Sequence, residues 1–159
     1  MARVFIGVGS NEGDRLSLVS RALQLLGRSP GIRLVQMATI QETEPFGGPP
    51  QGPYANTVVE VETALSPSEL LRVTQAIERQ LGRRPAMVRW APRPIDLDLL
   101  LYDALVLREA GLELPHPRLH ERRFVLEPLA QLAPDLLHPV LKQSMSQLLD
   151  HCAIESMNQ

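Results

Sequence analysis

The sequence predicts an α+β fold in a single domain that spans residues 1–159. Along residues 3–102, amphipathic helix patterns alternate with short apolar strand patterns, and no internal repeat or low-complexity segment interrupts them. The chain has the length of one ordinary domain, which is enough to bury a core. Its contents of 44% hydrophobic and 21% charged residues are those of an average globular protein.

The first part of the chain contains a strand, a helix and a second strand. Residues 3–8 form an apolar run that ends at Gly9, which predicts a buried strand. Residues 15–26 carry apolar side chains at helical spacing, and Gly27 is the expected stop of this helix. The apolar positions are Leu16, Val19, Leu23 and Leu26. Residues 33–41 predict the second strand.

The middle of the chain repeats this order after a loop. Residues 45–53 contain four prolines and three glycines, a composition that excludes both strand and helix. Residues 54–63 alternate in character and predict a third strand. Its two predicted faces are Thr57, Val59 and Val61 on one side and Asn56, Val58 and Glu60 on the other. Ser66 and Glu69 form a capping box that begins the second helix, and Gly82 ends it. The apolar stripe of this helix is Leu70, Val73, Ile77 and Leu81.

A fourth strand and two further helices complete the predicted fold. Residues 95–102 form this strand, so the six elements have the order of a ferredoxin-like βαββαβ sandwich. Residues 121–132 and 144–156 predict a C-terminal helical extension, with Pro134 and Pro139 between its two helices.

Charge and cysteine content narrow the class of partner and compartment. A formal net charge of -2 argues against a nucleic-acid partner, which favours a strongly basic face. The single cysteine, Cys152, excludes an internal disulfide and fits a reducing compartment. The apolar run at residues 4–8 is too short for a signal sequence or a membrane span. We therefore expect a cytoplasmic monomer without membrane or nucleic-acid partners.

Two aspartates interrupt the apolar fourth strand. Because side chains alternate along a strand, Asp96 and Asp98 share one face at about 6–7 Å. The opposite face is predicted to consist of Ile95, Leu97, Leu99 and Leu101. Two such charges repel by about 2–3 kcal/mol at an effective dielectric of about 20, so protonation, arginines or a divalent cation must offset them. Mg²⁺ is commonly held by one or two carboxylates plus substrate phosphates. The alternative is a solvated edge-strand face.

An arginine-rich loop precedes this strand and contains Trp90. Its arginines, which lie within eleven residues, are Arg83, Arg84, Arg89 and Arg93. The planar guanidinium matches phosphate oxygens in bidentate fashion, which indicates a polyphosphate site beside the carboxylate pair. The alternative is a solvated loop whose arginines pair with acidic side chains. Trp90 has two possible roles, since it can stack on a base or cover the core.

Two further side chains are candidates on weaker grounds. Glu78 lies near the C-terminal end of the second helix, where an acid is mildly unfavourable; a solvated helix face is the default expectation. His116 lies between two prolines in a stiff extended segment from which it can reach a phosphate. Neither a P-loop nor the dinucleotide-binding glycine pattern is present.

Six ordered segments resemble the 6-hydroxymethyl-7,8-dihydropterin pyrophosphokinase family of folate synthesis. They are Gly9-Ser10-Asn11, Tyr54-x-Asn56, Glu78 with Gly82-Arg83, the run from Arg89 to Asp98, Pro115-His116 and Arg122-x-Phe124. They span residues 9–124 with matching spacing. Glu44, Pro85 and Ala91 depart from the usual pattern of the family, which bears on loop motion and on fine pterin contacts.

The resemblance implies ATP as co-substrate, a pterin substrate and two Mg²⁺ ions. The pterin hydroxymethyl oxygen would attack the β-phosphorus of ATP, and AMP would leave. The implied catalytic residues are Arg83, Arg93, Asp96 and Asp98, and the two aspartates are the implied metal ligands. The implied ATP-binding residues are Gln75, Glu78, Arg93, His116 and Arg122. The implied pterin-binding residues are Thr43, Phe46, Tyr54, Asn56, Trp90, Asp96 and Phe124.

Two other classes of function fit parts of the pattern. A ferredoxin-like module that binds a metabolite without catalysis is one, because this fold hosts many functions. An RNA-binding sheet with Trp90 and Tyr54 as stacking residues is the other. The aromatic content of 4% and the acidic balance disfavour RNA binding.

Overall fold

A computed structural model describes residues 1–11, 14–43, 54–82 and 94–157, with backbone alone for Thr43 and residues 153–157. Its main sheet has five strands: β1 Ala2–Ser10, β2 Ile32–Met37, β3 Gln41–Thr43, β4 Tyr54–Thr63 and β5 Asp96–Tyr102. The order is β2-β4-β1-β5, with β3 also paired to β4, and all described pairings are antiparallel. This is the predicted ferredoxin-like order, because the outer strands come second and last among the four main strands.

Two helices cover one face of the sheet and form the first core. Helix α1 spans Arg15–Arg28 and helix α2 spans Pro67–Gln80. The side chains of α1 that are buried against the strands are Val19, Ala22, Leu23 and Leu26. Leu16, predicted as part of this stripe, is 47% exposed, so that prediction is wrong for the first turn. The alternating faces predicted for β4 are confirmed, since Val59 and Val61 lie in this core and Val58 lies on the opposite face.

The start of α2 and the turn that follows α1 can each be traced to particular residues. The capping box at the start of α2 is present: Ser66 Oγ accepts from the Glu69 N–H at 3.2 Å, and the Glu69 carboxylate accepts from the Ser66 N–H at 3.0 Å. Gly27 does not stop α1, contrary to expectation. The helix continues to Arg28, and the turn falls at Gly31, whose φ of 81° suits glycine.

The C-terminal extension covers the other sheet face and forms a second core. A short 3₁₀ helix at Leu119–Glu121 leads into α3 Arg123–Leu132, and α4 Met145–Met157 packs beside it. The predicted extension is therefore confirmed. The largest fully buried side chains of this core are Phe5, Leu100, Leu119, Leu126, Leu129 and Met145.

A bulge in β5 divides its apolar side chains between the two cores. Phe5 pairs with Leu101 and Ile6 pairs with Leu99, so Leu100 is the extra residue. Leu101 consequently packs in the second core with Leu100, while Leu99 stays in the first. The prediction that Leu101 shares a face with Leu99 is wrong for this reason.

Two short features differ from the sequence prediction. The strand expected at residues 33–41 is divided into β2 and β3. The Thr57 hydroxyl donates to the Ala38 carbonyl at 2.8 Å in the gap between them, and the register with β4 shifts by one residue across this gap. A hairpin that was not predicted joins β6 Leu107–Glu109 to β7 Leu112–Leu114. Residues 45–53, expected to form a loop, lie outside the described residues. Within the described ranges, no helix is long and apolar enough to cross a membrane.

Candidate active site

The candidate site lies on the sheet face of the second core, beyond the edge of that core. On β1, Gly9 pairs with Asn56 of β4 on one side and with Asp96 of β5 on the other. Directly paired residues of an antiparallel sheet share a face, so these three residues form a row across the sheet. In the next row of this face, Gly7 lies beside Asp98. The two glycines leave this part of the face without bulky side chains.

Gly9 is required by the ring that lies over it. A Cβ atom at Gly9 would collide with the hydroxyl, Cζ and Cε1 atoms of Tyr54, the last two at 2.7 and 2.8 Å. A Cβ at Gly7 would instead meet Leu100 at an ordinary 3.6 Å. The absent side chain of Gly9 therefore sets where the Tyr54 ring can lie.

The two aspartates share the face as predicted and create a negative field in the cleft. Asp96 is half-buried and Asp98 is exposed. Burial raises the pKa of the Tyr54 phenol above its ordinary range, and the charges of Asp96 and Asp98 raise it further, while Arg122 opposes the shift. Tyr54 is therefore a neutral hydrogen-bonding group at physiological pH.

Asn56 presents a fixed acceptor to the cleft. Its Nδ2 atom donates to the Phe124 carbonyl at 2.8 Å, and this bond fixes which end of the amide is oxygen. The Asn56 side chain is buried, and its Oδ1 atom has no hydrogen-bond partner among the described residues. A buried amide oxygen left unpaired is costly, so this atom is suited to accept from an N–H group of a ligand.

Aromatic rings stand above this acceptor. The rings of Tyr54 and Phe124 meet edge to face, with centroids 6.3 Å apart and planes inclined by 71°. Phe124 keeps 38% of its surface exposed, which leaves a face for a flat ligand. The Arg122 guanidinium carbon lies 5.7 Å from the centre of the Phe124 ring, close enough for a cation–π contact.

His116 is held as a neutral donor beside Asp98. Its backbone N–H donates to the Leu100 carbonyl at 2.9 Å, and its Nδ1 accepts the Arg118 N–H at 3.2 Å. Because Nδ1 is an acceptor, the proton of the neutral ring lies on Nε2. Burial lowers the pKa of His116 below its ordinary value of 6.5; Asp98 opposes this shift and Arg122 adds to it.

Glu78 is buried, although the sequence predicted a solvated helix face for it. It lies in α2 but is 4% exposed, so the expected solvated face is wrong for this side chain. Its Oε2 atom accepts the N–H of Leu97 at 2.9 Å, and Leu97 lies between the two aspartates. Gln75, one turn earlier on the same helix, is exposed.

Several predicted site residues cannot be placed. Arg83, Trp90, Arg93 and Phe46 lie outside the described residues. Thr43 is described by its backbone, which pairs with Tyr54. The described candidates that line one cleft are Tyr54, Asn56, Asp98, His116, Arg122 and Phe124, together with Gly7, Gly9, Val58 and Leu100.

Two features of the site were not predicted from the sequence. Gly7 and Gly9 leave the sheet face open, and their spacing of two along a strand was the available signal. The second feature is the backbone N–H of Arg118, which orients His116. A backbone donor leaves no trace in residue type, so no sequence signal could have indicated it.

The donor set of the cleft fits magnesium held jointly with a substrate. Asp96 and Asp98 offer hard oxygen ligands on one face, and both charges act on Tyr54. The described residues contain no group of three or more His, Cys, Asp or Glu side chains that could form a metal cage. Two carboxylates completed by phosphate oxygens and water are a common way to bind Mg²⁺.

A carboxylate pair, a neutral imidazole donor and an arginine, placed together on a ferredoxin-like sheet, are groups that suit the transfer of a phosphoryl group. The chain matches the family of 7,8-dihydro-6-hydroxymethylpterin-pyrophosphokinases (HPPK) over residues 5–134, and it belongs to that family. The resemblance drawn from the sequence is confirmed. Family membership also favours an enzyme over a metabolite-binding module without catalysis.

Relatives from bacteria match over most of their length. The 2-amino-4-hydroxy-6-hydroxymethyldihydropteridine pyrophosphokinase of Porphyromonas gingivalis is 44% identical over 142 residues, covering 87% of this chain and 95% of that protein. The Aquifex aeolicus protein of the same name is 35% identical over 147 residues, covering 92% of this chain and 90% of that protein.

A fungal relative is much longer than this chain. The folic acid synthesis protein fol1 of Schizosaccharomyces pombe is 40% identical over 146 residues, which cover 92% of this chain but 20% of that protein.

Solved structures share the fold. The crystal structure of wild-type Plasmodium falciparum HPPK-DHPS superposes with a TM-score of 0.79 at 13% identity, over 99% of this chain and 46% of that one. The same protein with pterin and p-hydroxybenzoate gives a TM-score of 0.78 at 14% identity, over 99% of this chain and 43% of that one. The chain thus spans less than half of these longer proteins. The activity of the family is the activity of this chain: transfer of pyrophosphate from ATP to the hydroxymethyl group of 6-hydroxymethyl-7,8-dihydropterin, in folate biosynthesis.

Proposed function

We propose that the cleft over Gly7 and Gly9 is where this transfer takes place. The row of Asp96, Gly9 and Asn56 carries the proposal, because it has a carboxylate and a buried, unpaired amide oxygen on one sheet face with only a glycine between them. The pterin hydroxymethyl oxygen attacks the β-phosphorus of ATP and loses its proton to solvent. The bond from the β-phosphorus to the α,β-bridging oxygen breaks, and AMP leaves with that oxygen.

The pterin binds at the Asn56 end of the row. The unpaired Oδ1 of Asn56 accepts a ring N–H, and the rings of Tyr54 and Phe124 bound the flat ligand. Thr43, Phe46 and Trp90 are predicted to complete this subsite, and Asp96 is predicted to contact the pterin as well.

The triphosphate binds at the other end of the cleft. His116 offers its Nε2 proton to a phosphate oxygen, and Arg122 offers a charge-assisted donor fork. Arg93 is predicted to hold the triphosphate with them, Arg83 to close over it, and Gln75 to bind ATP. The sequence assigns Glu78 to ATP as well, whereas its carboxylate accepts the N–H of Leu97. Donors of this kind act by positioning the reactants and by stabilising the charge of the transition state.

Asp96 and Asp98 are the residues that hold two Mg²⁺ ions in this proposal. The ions, when bound, neutralise phosphate charge and polarise the phosphorus under attack. The contribution of the chain is to hold both carboxylates on one face, with Tyr54 neutral beside them. Neutral Tyr54 adds no third negative charge to the site.

The products distinguish this reaction from ordinary kinase chemistry. With ATP, Mg²⁺ and the hydroxymethyl dihydropterin, we expect AMP and the pterin diphosphate in equal amounts. ADP as the product would contradict the proposal, and so would turnover that persists in excess EDTA. A parallel sample with a pterin that lacks the hydroxymethyl group should release no AMP.

The compartment and assembly state are also proposals. A single cysteine and the family's metabolic role support a cytoplasmic monomer that binds neither nucleic acid nor membranes. Light scattering at several protein concentrations should give a mass of about 17.7 kDa throughout. A mass that doubles with concentration would contradict the monomer.

A further inference from the structure

The strand that carries both aspartates lies at an edge of the sheet. Among the described residues, β5 pairs with β1 alone. Backbone groups on the other side of β5 therefore need partners other than a strand, from side chains, loops or water. The N–H of Leu97 is one of these groups, and its partner is the carboxylate of Glu78, at 2.9 Å.

This hydrogen bond acts on the peptide plane between the two metal-binding side chains. The Leu97 N–H belongs to the planar unit that joins Asp96 to Leu97, so fixing it fixes one backbone dihedral of each residue. The direction of the Asp96 side chain, and its orientation relative to Asp98, follow from those dihedrals. Glu78 is also 4% exposed, and a buried bond to a carboxylate is stronger than one to a neutral acceptor.

Packing of helix α2 against the first core fixes the position of the acceptor of this hydrogen bond. Ile77, the neighbour of Glu78, is buried in the first core, as is Leu70 two turns earlier. Leu97 packs in the same core from the strand side. The carboxylate of Glu78 is thus held at a set distance from β5 by packing that extends well beyond the site.

We propose that Glu78 is a positioning residue that takes the place of a neighbouring strand and holds Asp96 and Asp98 in the geometry that Mg²⁺ requires. This role differs from direct contact with ATP, and it rests on the proposed metal role of the two aspartates. Partners that orient metal ligands typically change metal affinity or activity by about 10–100-fold when they are replaced.

Three substitutions separate position from charge. Glu78→Gln keeps an acceptor oxygen at the same reach but removes the charge. Glu78→Asp keeps the charge but shortens the side chain by one methylene. Glu78→Ala removes the acceptor. Gln80→Ala is the matched control, because Gln80 is an exposed residue of the same helix.

The first measurement needs neither metal nor substrate. Hydrogen exchange of the Leu97 amide, followed by NMR in the ligand-free protein, should accelerate by about tenfold or more in Glu78→Asp and Glu78→Ala. Glu78→Gln and Gln80→Ala should stay within about threefold of the parent protein. Unchanged exchange in Glu78→Asp would overturn the inference, and this variant decides the matter if Glu78→Ala does not fold.

The second measurement connects the bond to the metal. The Mg²⁺ concentration that half-saturates binding of α,β-methylene-ATP should rise by about 10–100-fold in Glu78→Asp and much less in Glu78→Gln. Equal weakening in Glu78→Gln and Glu78→Asp, with Leu97 exchange unchanged, would identify Glu78 as a direct ligand and overturn the positioning role. Faster exchange without any change in Mg²⁺ dependence would overturn it too. Failure of the parent protein to release AMP would count against the proposed function and leave the exchange result intact.

Discussion

At the scale of single residues, the site depends on the side chain that a glycine lacks and on a polar atom that has no hydrogen-bond partner among the described residues. Gly9 has no Cβ, and the Tyr54 ring occupies the space that this atom would need. Asn56 has a buried oxygen without a hydrogen-bond partner among the described residues, and its amide is oriented by the Phe124 carbonyl. Strand β1 and the C-terminal extension therefore both contribute to the Asn56 end of the cleft, where we propose that the pterin binds.

Gly9→Ala should displace the Tyr54 ring and weaken pterin binding. A collision with a buried ring commonly costs about 1–3 kcal/mol, so we expect the pterin Kd to rise by about tenfold or more. Calorimetry with the pterin and a crystal structure of the variant measure the two effects. In Gly7→Ala, the matched substitution, the Tyr54 ring should stay in place because the added carbon makes an ordinary contact with Leu100. Unchanged affinity and ring position in Gly9→Ala would contradict this view.

His116 should give the protein a characteristic acid sensitivity. Its pKa is lowered in the folded state, so below the ordinary value of 6.5 the unfolded chain binds a proton that the folded chain does not. The free energy of unfolding should therefore fall as the pH drops below about 6.5. The fall should be smaller in His116→Asn, as measured by denaturant titration between pH 7.5 and 5.5. An NMR titration midpoint for His116 above 6.5 would show that the sign is wrong.

At the scale of elements, local signals predicted helices better than strands. The capping box of α2 was predictable because Ser66 and Glu69 interact within one turn. The bulge in β5 was not, because Leu99, Leu100 and Leu101 are identical in type and give no indication of which one is extra. The β6–β7 hairpin has three-residue strands, too short for an alternation to be recognised.

Ser66→Ala should lower stability without changing the chemistry. Loss of an N-cap typically costs about 1 kcal/mol, and the capping box lies at the end of α2 remote from Glu78. Urea titration should show this loss, with kcat within about twofold of the parent enzyme because the side-chain hydrogen bonds of the cap join Ser66 to Glu69. Ser68→Ala, an exposed position in the same turn, should have a smaller effect. Equal losses in the two variants would show that the cap is not the cause.

At the scale of the whole molecule, the cleft lies where the sheet emerges from beneath the second core. The two halves of the site come from parts of the chain that are distant in sequence, with Asp96 and Asp98 on β5 and Phe124 at the start of α3. Periodicity predicted that the aspartates share a face, and the structure confirms it. That Asp96 lies in one row with Asn56, with Gly9 between them, depends on strand order, which no local pattern specifies. The family resemblance had already implied that Asp96 and Asn56 lie close together, because it assigned both residues to the pterin site.

Asp98→Ala gives the most direct test, because it removes a proposed metal ligand and leaves the Asn56 end of the cleft intact. Turnover and pterin affinity are compared in this one variant, by AMP release and by calorimetry. We expect kcat to fall by about 100-fold or more, since the metal acts on charge that develops in the transition state. The pterin Kd should stay within about threefold of the parent value. Equal losses in kcat and in pterin affinity would contradict the account and show that Asp98 maintains the fold of the cleft instead.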